Sequence, residues 1–164
     1  MPRALLALLA AAWPGLALGS ALSSALPDAE LRGEATYRLV GLPVYHARLY
    51  TRAGGALDWS RDFGLELTYL RDLTRQMLVD STLQEFDRLG APLPLRDELT
   101  TCFRNVGKGD RFTAVSAGPD RLKFWFNDRQ TCDLRHPRIK ERFMSIFLGP
   151  DTRAPAFTRQ LKSE

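Results

Sequence analysis

An α+β fold built on an antiparallel sheet is what this 164-residue sequence predicts. Three observations lead there. Apolar and polar residues alternate with period 2 in several separate stretches, the spacing of strands with one buried face. Between them lie segments with apolar residues at helical intervals, each closed by Gly or Pro. The order is strands, helices, strands, helices, without the strict β-α alternation that a parallel sheet requires.

The chain opens on Arg3, an apolar run from Ala4 to Leu18, and the small residues Gly19, Ser20 and Ala21. A basic start, a short apolar stretch and small residues behind it have the order of a secretory leader. The run is about 15 residues, short of the roughly 20 that span a bilayer, and Pro14 and Gly15 interrupt it. The expectation is a signal peptide over residues 1–21, cleaved after Gly19 or Ala21, and a linker over 22–30. A single domain over 31–162 follows, in a periplasmic or secreted product with no stable membrane span after cleavage.

Arg32–Val40 and Val44–Tyr50 read as a strand hairpin around Gly41-Leu42-Pro43. Phe63–Leu70 alternates again, with Phe63, Leu65, Leu67 and Tyr69 on one face. The period then changes: Leu73, Met77, Leu78, Phe86 and Leu89 predict a helix over Asp72–Leu89, capped by Thr74 or Asp72 and ended by Gly90. Pro92–Phe103 is a shorter helix candidate. Arg111–Ala117 and Arg121–Asn127 read as strands joined at Gly118-Pro119-Asp120, followed by a short strand at Gln130–Leu134. Beyond Pro137, the stripe of Ile139, Phe143, Ile146 and Phe147 predicts a helix stopped by Gly149-Pro150. Thr152 is the expected cap of a last helix reaching Leu161.

Composition excludes several classes. A 45% hydrophobic fraction with 10% aromatics supplies a core for one domain. The net charge of +4 is dispersed, with no Lys/Arg run of the kind that tracks phosphates, so nucleic acid is not an expected partner. His46 and His136 stand far from any metal-ligand spacing, and no metal or cofactor is expected. Cys102 and Cys132 are the two cysteines. Folding the chain back at Gly118-Pro119-Asp120 brings Cys102 within a few residues of Cys132. In an oxidising compartment such a pair forms a disulfide, with two buried free thiols as the alternative. No nucleophile–base pair and no Gly-x-Ser-x-Gly elbow is present, so hydrolase chemistry has no support.

Five stretches, "LRGEATYRLVGLPVYHARLYT", "FGLELTYLRDLT", "FRNVGKGDRFTAV", "LKFWFND" and "RFMSIFLGPDTRAPAFTRQL", together resemble the bacterial, exported branch of the chalcone isomerase-like proteins. The resemblance covers about Leu31 to Leu161. It implies an open-faced antiparallel sheet with helices packed on one face and a ligand cleft between them. Family members include plant enzymes that cyclise chalcones, plastid fatty-acid binders, and bacterial members without an established activity. In the plant enzymes an Arg on the first strand holds the attacking phenoxide and a Thr on the next helps polarise the enone. The matching positions here are Arg38 and Tyr45. Tyr in place of Thr, and Arg48 where many relatives carry Gly, argue against the cyclase reaction.

Binding an apolar acid needs an apolar cleft ending in a guanidinium and a hydroxyl. Arg38, Tyr45, Tyr69 and Arg71 are the candidate ligand-binding residues, and no catalytic residue is assigned. The expected function is therefore a non-catalytic binder of a small apolar acid such as a fatty acid. An isomerase acting on an enone, as an intramolecular lyase, is one alternative. A periplasmic accessory protein acting through a protein partner is the other.

Overall fold

The structure is a computed structural model that describes residues 20–164. Residues 1–19, most of the expected leader, lie outside that range. One six-stranded sheet runs β1 (Ala29–Leu39), β2 (Leu42–Arg52), β3 (Gly64–Tyr69), β4 (Arg111–Ser116), β5 (Arg121–Phe126) and β6 (Arg129–Arg135). The strands lie side by side in chain order, each antiparallel to the next. Around them are α1 (Ser20–Ala25), α2 (Arg75–Arg88), α3 (Arg96–Cys102), α4 (Ile139–Leu148) and α5 (Pro155–Lys162). The α+β class and the open antiparallel sheet read from the sequence are both present.

Register sets the layers. Ala35, Ala47, Leu67 and Phe112 lie opposite one another across four strands, as do Leu49, Leu65, Ala114 and Phe124. This face carries α2 to α5, and its side chains merge with Val79, Phe86, Leu99, Phe143 and Met144 into the main core. At about 25 cal/mol per Å² of apolar surface removed from water, that layer is the chief source of stability. On the opposite face, Glu34 accepts hydrogen bonds from Arg48 (3.1 Å) and pairs with His46 (3.2 Å), whose other ring nitrogen bonds Thr36 (3.0 Å).

Residues 22–30, expected to be a linker, are instead part of the fold. Leu22 is 2% exposed and packs with Ala21, Ala29, Tyr50, Val115 and Trp125 on the sheet's outer face. The short period of α1 and the polar Ser23 and Ser24 hid this contact, because one buried Leu per turn reads as solvated chain.

Other boundaries moved for identifiable reasons. Thr74, one of the two expected caps, accepts a bond from the Met77 backbone N–H (3.2 Å), so α2 starts at Arg75 rather than Asp72. Leu73 pairs with Val106 instead. The Pro92-Ala91 and Pro94 neighbourhood stays non-helical because each Pro disfavours helical geometry in the residue before it, and α3 begins only at Arg96. Thr152 does not cap α5; Ala154 holds the N-cap position and Pro155 opens the helix. At Gly33 a Cβ would lie 2.5 Å from the Leu161 carbonyl oxygen, so glycine allows α5 to seat directly on β1.

Cys102 at the end of α3 and Cys132 on β6 form a disulfide, with Cα atoms 5.1 Å apart. It ties the helical layer to the far edge strand. Among the described residues no helix is long and apolar enough to cross a membrane.

Candidate functional site

The sheet and the helices do not close fully on each other. A cavity of about 270 Å³ lies between the β1–β2–β3 end of the sheet and α2, α4 and α5. Phe103, Phe112 and Phe143 line its depth, and Leu39, Met77 and Arg153 stand among its more exposed walls. The walls are overwhelmingly apolar, which suits a hydrocarbon ligand.

A row of three tyrosines forms the sheet wall. Tyr37, Tyr45 and Tyr69 lie directly opposite one another on β1, β2 and β3. Tyr37 and Tyr45 stack with ring centroids 5.1 Å apart, and Tyr69 meets Tyr45 edge-on at 6.1 Å. Phe147 and Phe157 close on Tyr45 from the helices. Burial pushes the Tyr45 phenol well above its usual range, and the neighbouring Tyr69, Tyr37 and Glu85 add to the shift. Burial alone raises Tyr69. Both stay protonated at neutral pH and can donate a hydrogen bond into the cavity.

The charged end comes from the helices. Glu85, on the inner side of α2, is 8% exposed. Its Oε2 accepts from Arg88 Nη2 (2.8 Å) and Nε (3.0 Å). Its Oε1 contacts the Arg153 guanidinium and takes no hydrogen bond from any other group among the described residues. Arg153 lies in the α4–α5 connection, which is pinned on both sides. Thr158 donates to the Phe147 carbonyl (2.9 Å), and the Thr152 and Thr158 hydroxyls bond each other (2.7 Å). Of the three charged groups only Glu85 and Arg153 line the cavity, one carboxylate against one guanidinium.

The sequence candidates divide. Tyr45 and Tyr69 line the cavity. Arg38 and Arg71 do not line it. Arg38 is exposed and donates to the Gly41 carbonyl of its own hairpin (3.2 Å). Tyr37 and Leu39 line the cavity, and strand alternation turns Arg38 between them to the other face. Arg71 is exposed just past the end of β3. The cavity's guanidinium is Arg153, which sequence reasoning passed over. Its signal was its place: a lone Arg between the Gly149-Pro150 helix stop and the Pro155 helix start, in a connection between two elements packed on the sheet.

An open antiparallel sheet, with α2 to α5 gathered on one face and an apolar hollow between them, has the chalcone isomerase-like fold. A fatty-acid binding protein of Arabidopsis thaliana, known from its crystal structure, matches with a TM-score of 0.65 over 82% of this chain and 87% of its own. Sequence identity is 10%, so the likeness is one of fold. No protein-family profile and no curated protein matches the chain.

Proposed function

We propose that the protein is a non-catalytic binder of a small apolar acid, of which a fatty acid is the simplest example. The observation that carries this is Arg153 at the edge of an apolar cavity, with Tyr45 and Tyr69 on the facing wall. An acyl chain lies in the hollow, and its carboxylate meets Arg153 in a charge-assisted hydrogen bond. The protonated phenols donate to the same head group. The fold neighbour's binding of fatty acids supports the same reading. At about 270 Å³ the hollow is at the small end of ligand cavities, which favours short or medium chains.

Export belongs to this reading. The Cys102–Cys132 disulfide fits an oxidising compartment, and the leader-like N-terminal residues supply the route. Cleavage after Gly19 rather than Ala21 keeps Ala21 in its buried contact beneath the sheet. N-terminal sequencing of exported protein tests this, and an unprocessed Met1 start would end it.

Extraction of purified protein followed by mass spectrometry tests the binding. Co-purified acids, or stoichiometric uptake of added octanoate to palmitate, are expected. A clean extract combined with no uptake would remove the proposal. Decay of enone absorbance on incubation with chalcones would instead favour the isomerase reading.

A further inference from the structure

The hairpin between β1 and β2 ends in three aliphatic side chains that face water. Leu39 is 51% exposed, Val40 95% and Leu42 55%. Met77, on the first turn of α2, is 51% exposed. Among the described residues these are four of the five exposed large apolar side chains. Leu39 and Met77 also line the cavity, so the patch runs without a break into its wall.

The turn itself opposes such a sequence. Val40 has φ 49° and Gly41 φ 78°. Two successive positive values form the tight hairpin turn that favours Asn-Gly, and a β-branched residue there is strained. Val40 is therefore unfavourable twice over, for the backbone and for the solvent. An apolar contact outside the molecule accounts for both.

The charges beside the patch name that contact. Arg38 stays at the tip through its bond to the Gly41 carbonyl. Arg71 stands next to the hairpin base, because the Leu70 N–H bonds the Val44 carbonyl. Arg75 begins α2 two residues before Met77. All three guanidiniums are exposed. Asp72, the carboxylate in this stretch, faces the Gly107 turn, where a Cβ would meet it at 3.2 Å. An apolar tip ringed by cations complements an anionic lipid surface, where apolar side chains enter the acyl boundary and basic ones meet the head groups.

We propose that Leu39, Val40, Leu42 and Met77 form a docking collar that seats the cavity on an anionic bilayer. The collar rests on the proposed function only in that the cavity gives the docked protein an acyl chain to collect or deliver. The cationic side chains that the acid-binding reading left outside the cavity, Arg38 and Arg71, become head-group contacts.

Amide hydrogen exchange on the whole chain, with and without vesicles, reads the tip directly. The tip lies at the opposite end of β2 from the α1 contact with Tyr50, so a membrane contact of the N-terminal residues does not mimic it. Vesicles of phosphatidylglycerol and phosphatidylethanolamine are expected to slow exchange over residues 38–42, and phosphatidylcholine vesicles to leave it unchanged. High salt removes most of the effect. The paired change Val40→Asn and Leu42→Asn is expected to abolish this protection and to weaken vesicle binding about tenfold or more. Its fold is kept, because Asn-Gly suits the turn; the single Val40→Asn change raises Tm. Its uptake of decanoate from vesicle-free buffer stays that of the unaltered chain. Unchanged exchange at the tip with anionic vesicles, or vesicle binding by the paired variant equal to that of the unaltered chain, overturns the collar. So does tip protection that grows with protein concentration without lipid, which assigns the patch to a second copy. Acid uptake without tip protection removes the collar alone; tip protection without acid uptake removes the cavity reading alone.

Discussion

Glu85 and Arg153 join α2 to the α4–α5 connection by an ion pair at the edge of the cavity, and Arg88 holds the other oxygen of the same carboxylate. The pair gives the hollow a polarity that its aromatic walls lack. In the proposed binding, a ligand carboxylate arriving there would find a guanidinium already oriented, and would compete with Glu85 for it.

Removing that guanidinium separates binding from folding. Arg153→Ala is expected to weaken fatty-acid binding by about 10- to 100-fold, the scale of a lost hydrogen bond between charged groups. The Arg153 side chain is 45% exposed, so its contribution to stability is small, about 0–1 kcal/mol. Titration of a fluorescent fatty acid, paired with a urea melt, checks both. Arg38→Ala and Arg71→Ala leave solution binding unchanged, and a loss there equal to that of Arg153→Ala would return the head group to the sheet strands.

The competing carboxylate gives the opposite sign. Glu85→Gln keeps the shape and the bonds from Arg88 while removing the negative charge beside the ligand's own. Tighter binding is expected, by several-fold, on the order of 1 kcal/mol for a like-charge contact near solvent. Isothermal titration of the same acid against this variant measures it. Weaker binding would mean that Glu85 serves chiefly to orient Arg153.

Filling the hollow tests the acyl end. Ile146 is half-buried on α4 and lines the cavity. Ile146→Trp places a larger side chain in the space available and is expected to abolish decanoate uptake while leaving Tm within a few degrees. Retention of full affinity would show that the chain lies elsewhere.

Most of the sheet was legible because its signal is local and repeated. In β2, Tyr45, Ala47 and Leu49 alternate with His46 and Arg48, and each set keeps its own face in the structure. The same reasoning delivered Tyr45 and Tyr69 to the cavity wall. Arg38 entered through the family resemblance, and the alternation that puts Tyr37 and Leu39 on the cavity side sets Arg38 on the other face. Sequence reasoning missed Arg153 because two helix ends bring that residue to the cavity, and a single basic residue in a connection has no period to detect. Met77 illustrates the same limit: it fits the apolar stripe of α2, yet it stands half-exposed at the edge of an opening that only the packed elements create. The disulfide partners were readable from the fold-back of β4 and β5, since antiparallel register ties positions along the chain to positions in space.

The disulfide stabilises by restricting the unfolded chain. Its cysteines are 30 residues apart, which corresponds to about 3.5 kcal/mol in the chain-entropy description. Cys102→Ala with Cys132→Ala is therefore expected to lower the free energy of unfolding by about 2–4 kcal/mol. Urea denaturation of the variant, and of the unaltered protein with and without reductant, measures the loss. Identical midpoints throughout would show that the packing of α3 on β6 suffices without the bond.

Alkaline pH acts through the tyrosine row. Tyr45 and Tyr69 hold their protons in the folded state to higher pH than in the unfolded chain, chiefly because burial penalises the phenolate. An unfolded tyrosine titrates near about pH 10. Below that value both states are protonated and the two residues add no pH dependence. Above it the unfolded state releases protons that the folded state keeps, so ionisation favours unfolding and stability falls as pH rises. The midpoint of urea unfolding is accordingly expected to drop between about pH 9 and 11, with tyrosinate absorbance appearing as the protein unfolds. Tyr45→Phe removes the phenol that burial and its three acidic neighbours hold back most firmly, and is expected to flatten the decline. A slope unchanged by that substitution, and by Tyr69→Phe, would show that both phenols ionise in the folded protein as freely as in the unfolded chain, and would open the cavity wall to water.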